Sequence, residues 1–247
     1  MAKPVASKTP TAKDWQQARQ QWRQWLQARS IQPARFQQQA WKAFEAGQSG
    51  LITAPTGSGK TLAAIGGPMI QALAWSGIHT SKYGVRILWI TPLRALASDT
   101  RGHLLQPIES LLPHWRTALR TGDASAKDRA ASQKGQAQLL VTTPESLAIL
   151  LSSEIGSATF ESLQAVVVDE WHELLPSKRG VLLQLNLARL RKIAPNFQVW
   201  GVSATIGNVE EALDVLVRDR ADAQKVIIED QRKKSFDLKT LLPPETV

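Results

Sequence analysis

Residues Ala54-Pro55-Thr56-Gly57-Ser58-Gly59-Lys60-Thr61 restrict the fold of this chain more than any other stretch. Before them lies Gly50-Leu51-Ile52, which reads as a buried strand. After them lies Leu62-Ala63-Ala64-Ile65, which reads as the start of a helix. Strand, glycine-rich turn and helix, in that order, make a phosphate-binding loop. The glycines let successive backbone N–H groups converge on phosphate oxygens, and the helix N-terminus adds the positive end of its dipole. On this pattern Thr56, Gly57, Ser58 and Gly59 cradle phosphates, Lys60 supplies charge for the outer ones, and Thr61 offers a hydroxyl to Mg²⁺. Ala54 stands where the strict pattern has Gly. The plainer reading is a Gly/Ser turn that ends by chance in Lys-Thr, and the flanking strand and helix argue against it.

The second informative stretch is Asp169-Glu170-Trp171-His172, directly after the β-branched run Ala165-Val166-Val167-Val168. Such a run suits a strand buried on both faces. An acidic pair at its end is costly unless it faces a cation, and Mg-nucleotide satisfies that need beside Lys60 and Thr61. Asp169 then serves Mg²⁺, and Glu170 orients and deprotonates a water. His172-Glu173 also suggests a zinc protease. No second His follows four residues later, and the chain has only 4 His, so that reading is set aside.

Three more segments follow the same grammar. Val85–Ile90 leads into Thr91-Pro92-Leu93-Arg94, Gln138–Val141 into Thr142-Thr143-Pro144-Glu145-Ser146, and Gln198–Val202 into Ser203-Ala204-Thr205. In the first two, Thr91 and Thr143 are expected helix N-caps with Pro in the first turn. Polar motifs at successive strand ends line one edge of an open parallel sheet, where ligands bind.

In this order the motifs resemble the first lobe of a superfamily 2 helicase of the DEAD/DEAH type. Trp89–Ala97, Arg120-Thr121-Gly122-Asp123, Thr142–Leu147, Asp169–Leu174, Ser177-Lys178-Arg179-Gly180 and Gly201–Asn208 resemble the Lhr-like branch, and within it the ligase-associated DEXH-box DNA helicases. The resemblance runs from about Asp14 to the C-terminus. It implies an α/β fold: a RecA-like P-loop NTPase lobe with a mostly parallel sheet and helices on both faces. It implies ATP and Mg²⁺ as cofactors and one strand of nucleic acid, DNA more than RNA, as partner. Lys60, Asp169, Glu170 and His172 are then the catalytic group, with Thr61 and Asp169 serving the metal. Ser203 and Thr205 couple nucleotide state to lobe movement. Arg94, Thr121, Gly122 and Thr143 touch the nucleic-acid backbone, which is sequence-blind. Gln37, in Arg35-Phe36-Gln37-Gln38, stands where such helicases read adenine; a Gln amide can pair with the N6/N7 edge. Its alternative is one more polar residue in a Gln-rich stretch.

The resemblance also implies a second lobe bearing an arginine finger and the rest of the nucleic-acid track. The expected division is a disordered basic leader over 1–13, a helix over 14–30 N-capped by Asp14, the ATP-binding lobe over 31–230, and a linker toward an absent second lobe over 231–247. The chain is therefore read as a lobe or fragment of an ATP-dependent DNA helicase or translocase acting in DNA repair. A non-catalytic nucleotide- and nucleic-acid-binding module that needs a partner lobe, and a lobe of an RNA helicase, are the alternatives. Arg218, Arg220 and Arg232 are expected to be solvated rather than catalytic.

Charge and composition agree. The formal net charge is +9, and residues Met1–Arg35 hold seven Lys or Arg against Asp14 alone. That basic excess can attract phosphates. The helix after the leader places Ala18, Trp22, Trp25 and Leu26 on one stripe. It is either a basic, aromatic nucleic-acid clamp or a helix that packs its Trp face on the lobe, and apolar stripes favour packing. With 0 Cys there are no disulfides and no thiol metal site, which suits the cytosol. The N-terminus lacks the apolar region of a secretory signal, and no apolar run is long enough to span a bilayer.

Overall fold

The computed structural model describes residues 9–76, 84–153, 156–204, 206–218, 221 and 224–232. Short β-branched and Leu-rich runs form β1 (Ser49–Thr53), β2 (Ile87–Ile90), β3 (Thr117–Arg120), β4 (Leu139–Thr142), β5 (Ala165–Val168), β6 (Gln198–Ser203) and β7 (Lys225–Glu229). They make one sheet in the order β3-β4-β2-β5-β6-β1-β7, parallel at every pairing. The expectation of a mostly parallel sheet is met, with no antiparallel strand among the described residues.

Side chains alternate across this sheet with the strand period of two. Ile52, Trp89, Val141, Val167, Trp200 and Val202 face one way. There they meet α1 (Ala12–Gln27), α2 (Arg35–Glu45), α3 (Lys60–Trp75) and α4 (Arg94–Leu111). Leu51, Leu88, Ile90, Leu140, Val166, Val168 and Val199 face the other way. They meet α6 (Pro144–Leu151), α7 (Gly156–Phe160), α8 (Trp171–Leu174), α9 (Lys178–Ile193) and α10 (Val209–Leu216). The short α5 (Ala126–Gln133) follows β3. A sheet covered on both faces explains why its strands read as continuous apolar runs.

Two expectations are corrected. The first helix spans Ala12–Gln27, not 14–30, and its N-cap is Thr11, not Asp14. Asp14 sits at the third helical position, where its carboxylate accepts the Thr11 N–H at 2.8 Å while the Thr11 hydroxyl accepts the Asp14 N–H at 3.3 Å. This reciprocal box satisfies two backbone donors and starts the helix earlier. Ala12 and Lys13 therefore belong to α1; residues 1–8 of the expected leader and 233–247 of the expected linker lie outside the described residues. Second, Thr91 does not cap α4. Its N–H donates to Thr142 O at 3.0 Å, which prolongs the β2–β4 ladder, and the helix begins at Arg94 after Leu93. Thr143 does cap α6, with Pro144 in the first turn.

The α1 stripe is buried, so the packing alternative holds over the clamp. Trp22 and Trp25 stack at 5.1 Å, and Trp41 of α2 meets Trp22 edge-on at 5.8 Å. Trp41 also donates to Leu62 O at 3.1 Å. A Cβ on Gly66 would occupy the Trp41 indole, so the close α2–α3 crossing depends on that glycine. The crossing brings the start of α2 against the start of α3.

Candidate functional site

The strand ends converge as the motifs require. Register pairs Thr53 with Ser203, Val168 with Gly201, and Ile90 with both Thr142 and Val168. The residues that follow these positions share one edge. Strand order divides that edge: the loop after β1, the acidic pair after β5 and Ser203 on β6 occupy one half. The segments after β3, β4 and β2 occupy the other.

In the loop, Gly57 and Gly59 adopt φ +76° and +91°. Gly59 is the left-handed residue that opens α3 without a side-chain cap, so the first N–H groups of the helix are not taken by a capping side chain. Lys60 is 8% exposed and donates to Ala54 O at 2.9 Å, folding over the loop it belongs to. Thr61 is half-buried at the next position, Thr56 is exposed, and the buried Ser58 hydroxyl has no partner among the described residues.

Gln37, 5% exposed, lies on the flank of this loop. Its Oε1 accepts the Ala34 N–H at 2.8 Å and its Nε2 donates to Gly59 O at 3.0 Å. A Cβ at residue 59 would collide with that amide. Each amide end keeps one further hydrogen-bonding position, an N–H and a lone pair. Gln38, by contrast, bonds Pro33 O and is exposed.

Arg232 is exposed, as expected, and is also tied to the same loop. Its Nη2 donates to Ser58 O at 3.1 Å, and its Nε and Nη2 grip the Asp230 carboxylate at 2.8 and 2.6 Å. Two successive loop carbonyls, Ser58 and Gly59, thus accept from Arg232 and Gln37. Arg218 is exposed, and Arg220 lies outside the described residues.

Asp169 leaves β5 with its N–H on Ile90 O at 2.7 Å. Its carboxylate accepts from the Trp89 indole at 3.2 Å and from the Glu170 N–H at 3.0 Å. Burial pushes this carboxyl up to about 6, and the Glu170 charge adds to the rise. The Trp89 bond, the Glu170 N–H and the Lys60 ammonium pull against it. Glu170 holds φ 45° and ψ 49°, a left-handed conformation that costs a non-glycine residue of order 1–3 kcal/mol. Strain of this kind persists where the surroundings fix it, and here it turns the chain from β5 into α8. Trp171 anchors that turn: it is fully buried and donates to Ala212 O at 2.9 Å.

His172 joins the acidic pair to β6. Its Nδ1 lies 3.5 Å from Glu170 Oε2 and 3.0 Å from Ser203 Oγ. Thr205 lies outside the described residues.

On the other half of the edge, Thr121 is buried at the end of β3 and Gly122 is exposed. The Thr142 hydroxyl donates to Arg120 O at 2.7 Å, which ties the ends of β3 and β4 together. The buried Thr143 hydroxyl bonds Ser146 Oγ at 3.3 Å and accepts the Ser146 N–H at 3.4 Å. That hydroxyl is committed to the α6 cap. The Arg94 backbone opens α4; its side chain lies outside what is described.

Sequence reasoning missed Trp89 and Arg232 as members of the site. Nothing local marks either one, because their partners lie 80 and 174 residues away. Among the described residues no three His, Cys, Asp or Glu side chains form a metal cage, and no helix is long and apolar enough to cross a membrane. A site for Mg²⁺ that relies on one carboxylate, a hydroxyl and substrate phosphates needs no such cage.

The DEAD/DEAH box helicase family matches residues 34–212 of this chain. The chain is 36% identical over 217 residues to the ATP-dependent helicase Lhr-Core of Methanocaldococcus jannaschii, which covers 84% of this chain and 25% of that protein. It is 32% identical over 213 residues to the Lhr helicase/uracil glycosylase of Escherichia coli, covering 80% and 14%. It also resembles the structure of the Mycobacterium smegmatis helicase Lhr bound to single-stranded DNA and AMP-PNP. There the TM-score is 0.74 and the identity 32%, over 87% of this chain and 28% of the other. The DEAD-box helicase Mss116, solved with single-stranded RNA and UDP-BeF, shares the fold at TM-score 0.72 and 17% identity, over 90% and 44%. The chain thus spans a quarter or less of the length of these two sequence relatives.

Proposed function

The chain belongs to the DEAD/DEAH box helicase family, and from that premise we propose that it is the ATP-Mg²⁺-binding lobe of a DNA helicase or translocase. The observation that carries this reading is the linked run of Lys60, Asp169, Glu170, His172 and Ser203 along one half of the sheet edge. Lys60 leaves Ala54 O to meet the outer phosphates. The loop N–H groups hold the inner ones. The Thr61 hydroxyl and the Asp169 carboxylate hold Mg²⁺, which when bound neutralises charge on the phosphates. Glu170 takes the proton of a water whose oxygen bonds to the γ-phosphorus as the bond to the β-phosphate oxygen breaks. His172, between Glu170 and Ser203, passes the state of that centre to β6. Arg94, Thr121, Gly122 and Thr143 take the backbone of a single strand on the other half of the edge. DNA as substrate draws support from the strand bound in the Mycobacterium smegmatis relative. Action in DNA repair, and a cytosolic setting that a Cys-free chain suits, belong to the same proposal.

Single-strand binding tests the nucleic-acid half. Fluorescence anisotropy with DNA oligomers of unrelated sequence should give similar affinities that fall with salt. Deleting Met1–Lys8 removes Lys3 and Lys8 while leaving α1 intact, and should flatten the log–log salt slope by up to about 1.4 if both meet single-strand phosphates. Strong dependence on base sequence, or no binding at low salt, would contradict the reading.

The Asp169 carboxyl supplies a test of the metal half. Because it is raised to about 6, the folded, metal-free protein holds a proton that the unfolded chain releases. Its contribution to stability is therefore complete below the ordinary value of 3.8 and is lost as pH rises through about 6. Mg²⁺ needs the ionised carboxylate, so Mg²⁺-dependent binding of an ATP analogue should strengthen over the same interval. Melting curves and nucleotide titrations on either side of that pH, compared with Asp169→Asn, check both. The variant should lose the interval in each measurement. An unchanged pH profile in Asp169→Asn would remove Asp169 from the metal site.

A further inference from the structure

After β7 the chain bends back over the phosphate-binding loop. Asp230 donates its N–H to Thr53 O at 2.9 Å, adding one rung beyond the β1–β7 ladder. Its side chain is 4% exposed and holds the Arg232 guanidinium by Nε and Nη2. The same Nη2 reaches Ser58 O. Three of the five guanidinium hydrogens are thus engaged, which fixes the plane and leaves the two on Nη1. The guanidinium lies over the Phe36 ring, with Cζ 5.3 Å from its centroid. Phe36 is itself only 2% exposed, so a base cannot reach its ring directly. Arg232 is 56% exposed in its side chain.

A planar cation with an aromatic backing, fixed beside Gln37, is suited to a nucleobase. Guanidinium planes stack on aromatic rings, and an ammonium has no plane with which to do so. Gln37 bonds Gly59 O, and Arg232 bonds the preceding Ser58 O, so both groups are set in register with the loop that takes the phosphates. We propose that Arg232 is a base-binding residue of the nucleotide site. The purine stacks on the guanidinium face turned away from Phe36, with its edge toward the free donor and acceptor of Gln37. The proposal rests on the Ala54–Thr61 loop being the nucleotide site.

The test compares two ligands that share the phosphates and differ in the base. A non-hydrolysable ATP analogue and inorganic tripolyphosphate, each with Mg²⁺, are titrated into the unaltered chain, Arg232→Ala, Arg232→Lys and Lys60→Ala. Arg232→Ala should weaken the analogue about five- to tenfold and leave tripolyphosphate unchanged. Arg232→Lys should behave as Arg232→Ala, because it keeps the charge and loses the plane. Equal weakening of both ligands by Arg232→Ala would mean that Arg232 only braces the loop, and would overturn the proposal. Rescue by Lys, or an unaltered analogue affinity in Arg232→Ala, would overturn it too. Failure of the loop itself reads differently: the unaltered chain would then bind neither ligand, or Lys60→Ala would keep both, and the proposal would fall with it.

Discussion

Replacing Glu170 by Gln is expected to lower ATP hydrolysis about 10²–10⁴-fold while nucleotide affinity stays close to its original value. The amide has the shape of the carboxylate but cannot accept the proton of the attacking water. The backbone at this position is left-handed, φ 45°, and Gln meets the same constraint there as Glu, so the turn into α8 is kept. Trp171 on Ala212 O holds that turn independently of the Glu170 side chain. His172 keeps its contact with Ser203 and loses an anionic neighbour. The assay is steady-state turnover by a two-lobed helicase that carries this chain as its first lobe, beside equilibrium binding of a fluorescent ATP analogue. Asp169→Asn is the contrast. It should lose Mg²⁺-dependent binding itself, because Asp169 rather than Glu170 is the carboxylate assigned to the metal. Turnover by Glu170→Gln at the original rate would place the base elsewhere.

Much of this site was legible because its parts are short and lie at strand ends. Runs such as Ala165–Val168 are apolar at every position, which happens when a sheet is covered on both faces, and each run stops at a polar motif. The alternation that sends Trp89 to one face and Leu88 to the other is invisible in such a run, since both neighbours are apolar. The indole of Trp89 on Asp169 was therefore hidden, although both residues lie in motifs that the sequence displays. Helix starts failed where a long-range bond competed with a local rule. Thr91 has the composition of a cap, but Thr142 O holds its N–H in the sheet. At α1 both Thr11 and Asp14 are capping residues, and only the reciprocal geometry assigns their roles. Nothing in the Gln37–Gln39 run distinguishes one Gln from the next; the bonds of Gln37 to Ala34 N–H and Gly59 O come from the fold. Arg232 looked like one more charge in a polar tail. Its meaning comes from β7 pairing with β1, which returns the chain to the loop that left β1 some 170 residues earlier.

Lys60→Ala carries the central claim, that Ala54–Thr61 is a nucleotide site. The Lys60 ammonium is nearly buried, has Ala54 O as its hydrogen-bond partner, and its charge pulls weakly against the rise of the Asp169 carboxyl. Phosphate offers it a charged acceptor in place of a neutral one. Loss of one charge-assisted contact costs about 1.5–3 kcal/mol, a tenfold or greater drop in affinity. Ala at the first position of α3 favours the helix, so the fold should persist, and a melting curve checks that. The deciding measurement is calorimetric titration of a non-hydrolysable ATP analogue with Mg²⁺ into the chain and into Lys60→Ala. The account predicts saturable binding by the first and none detectable, or at least tenfold weaker binding, by a folded Lys60→Ala. Equal affinity in the two, or no binding by the unaltered chain, would contradict it.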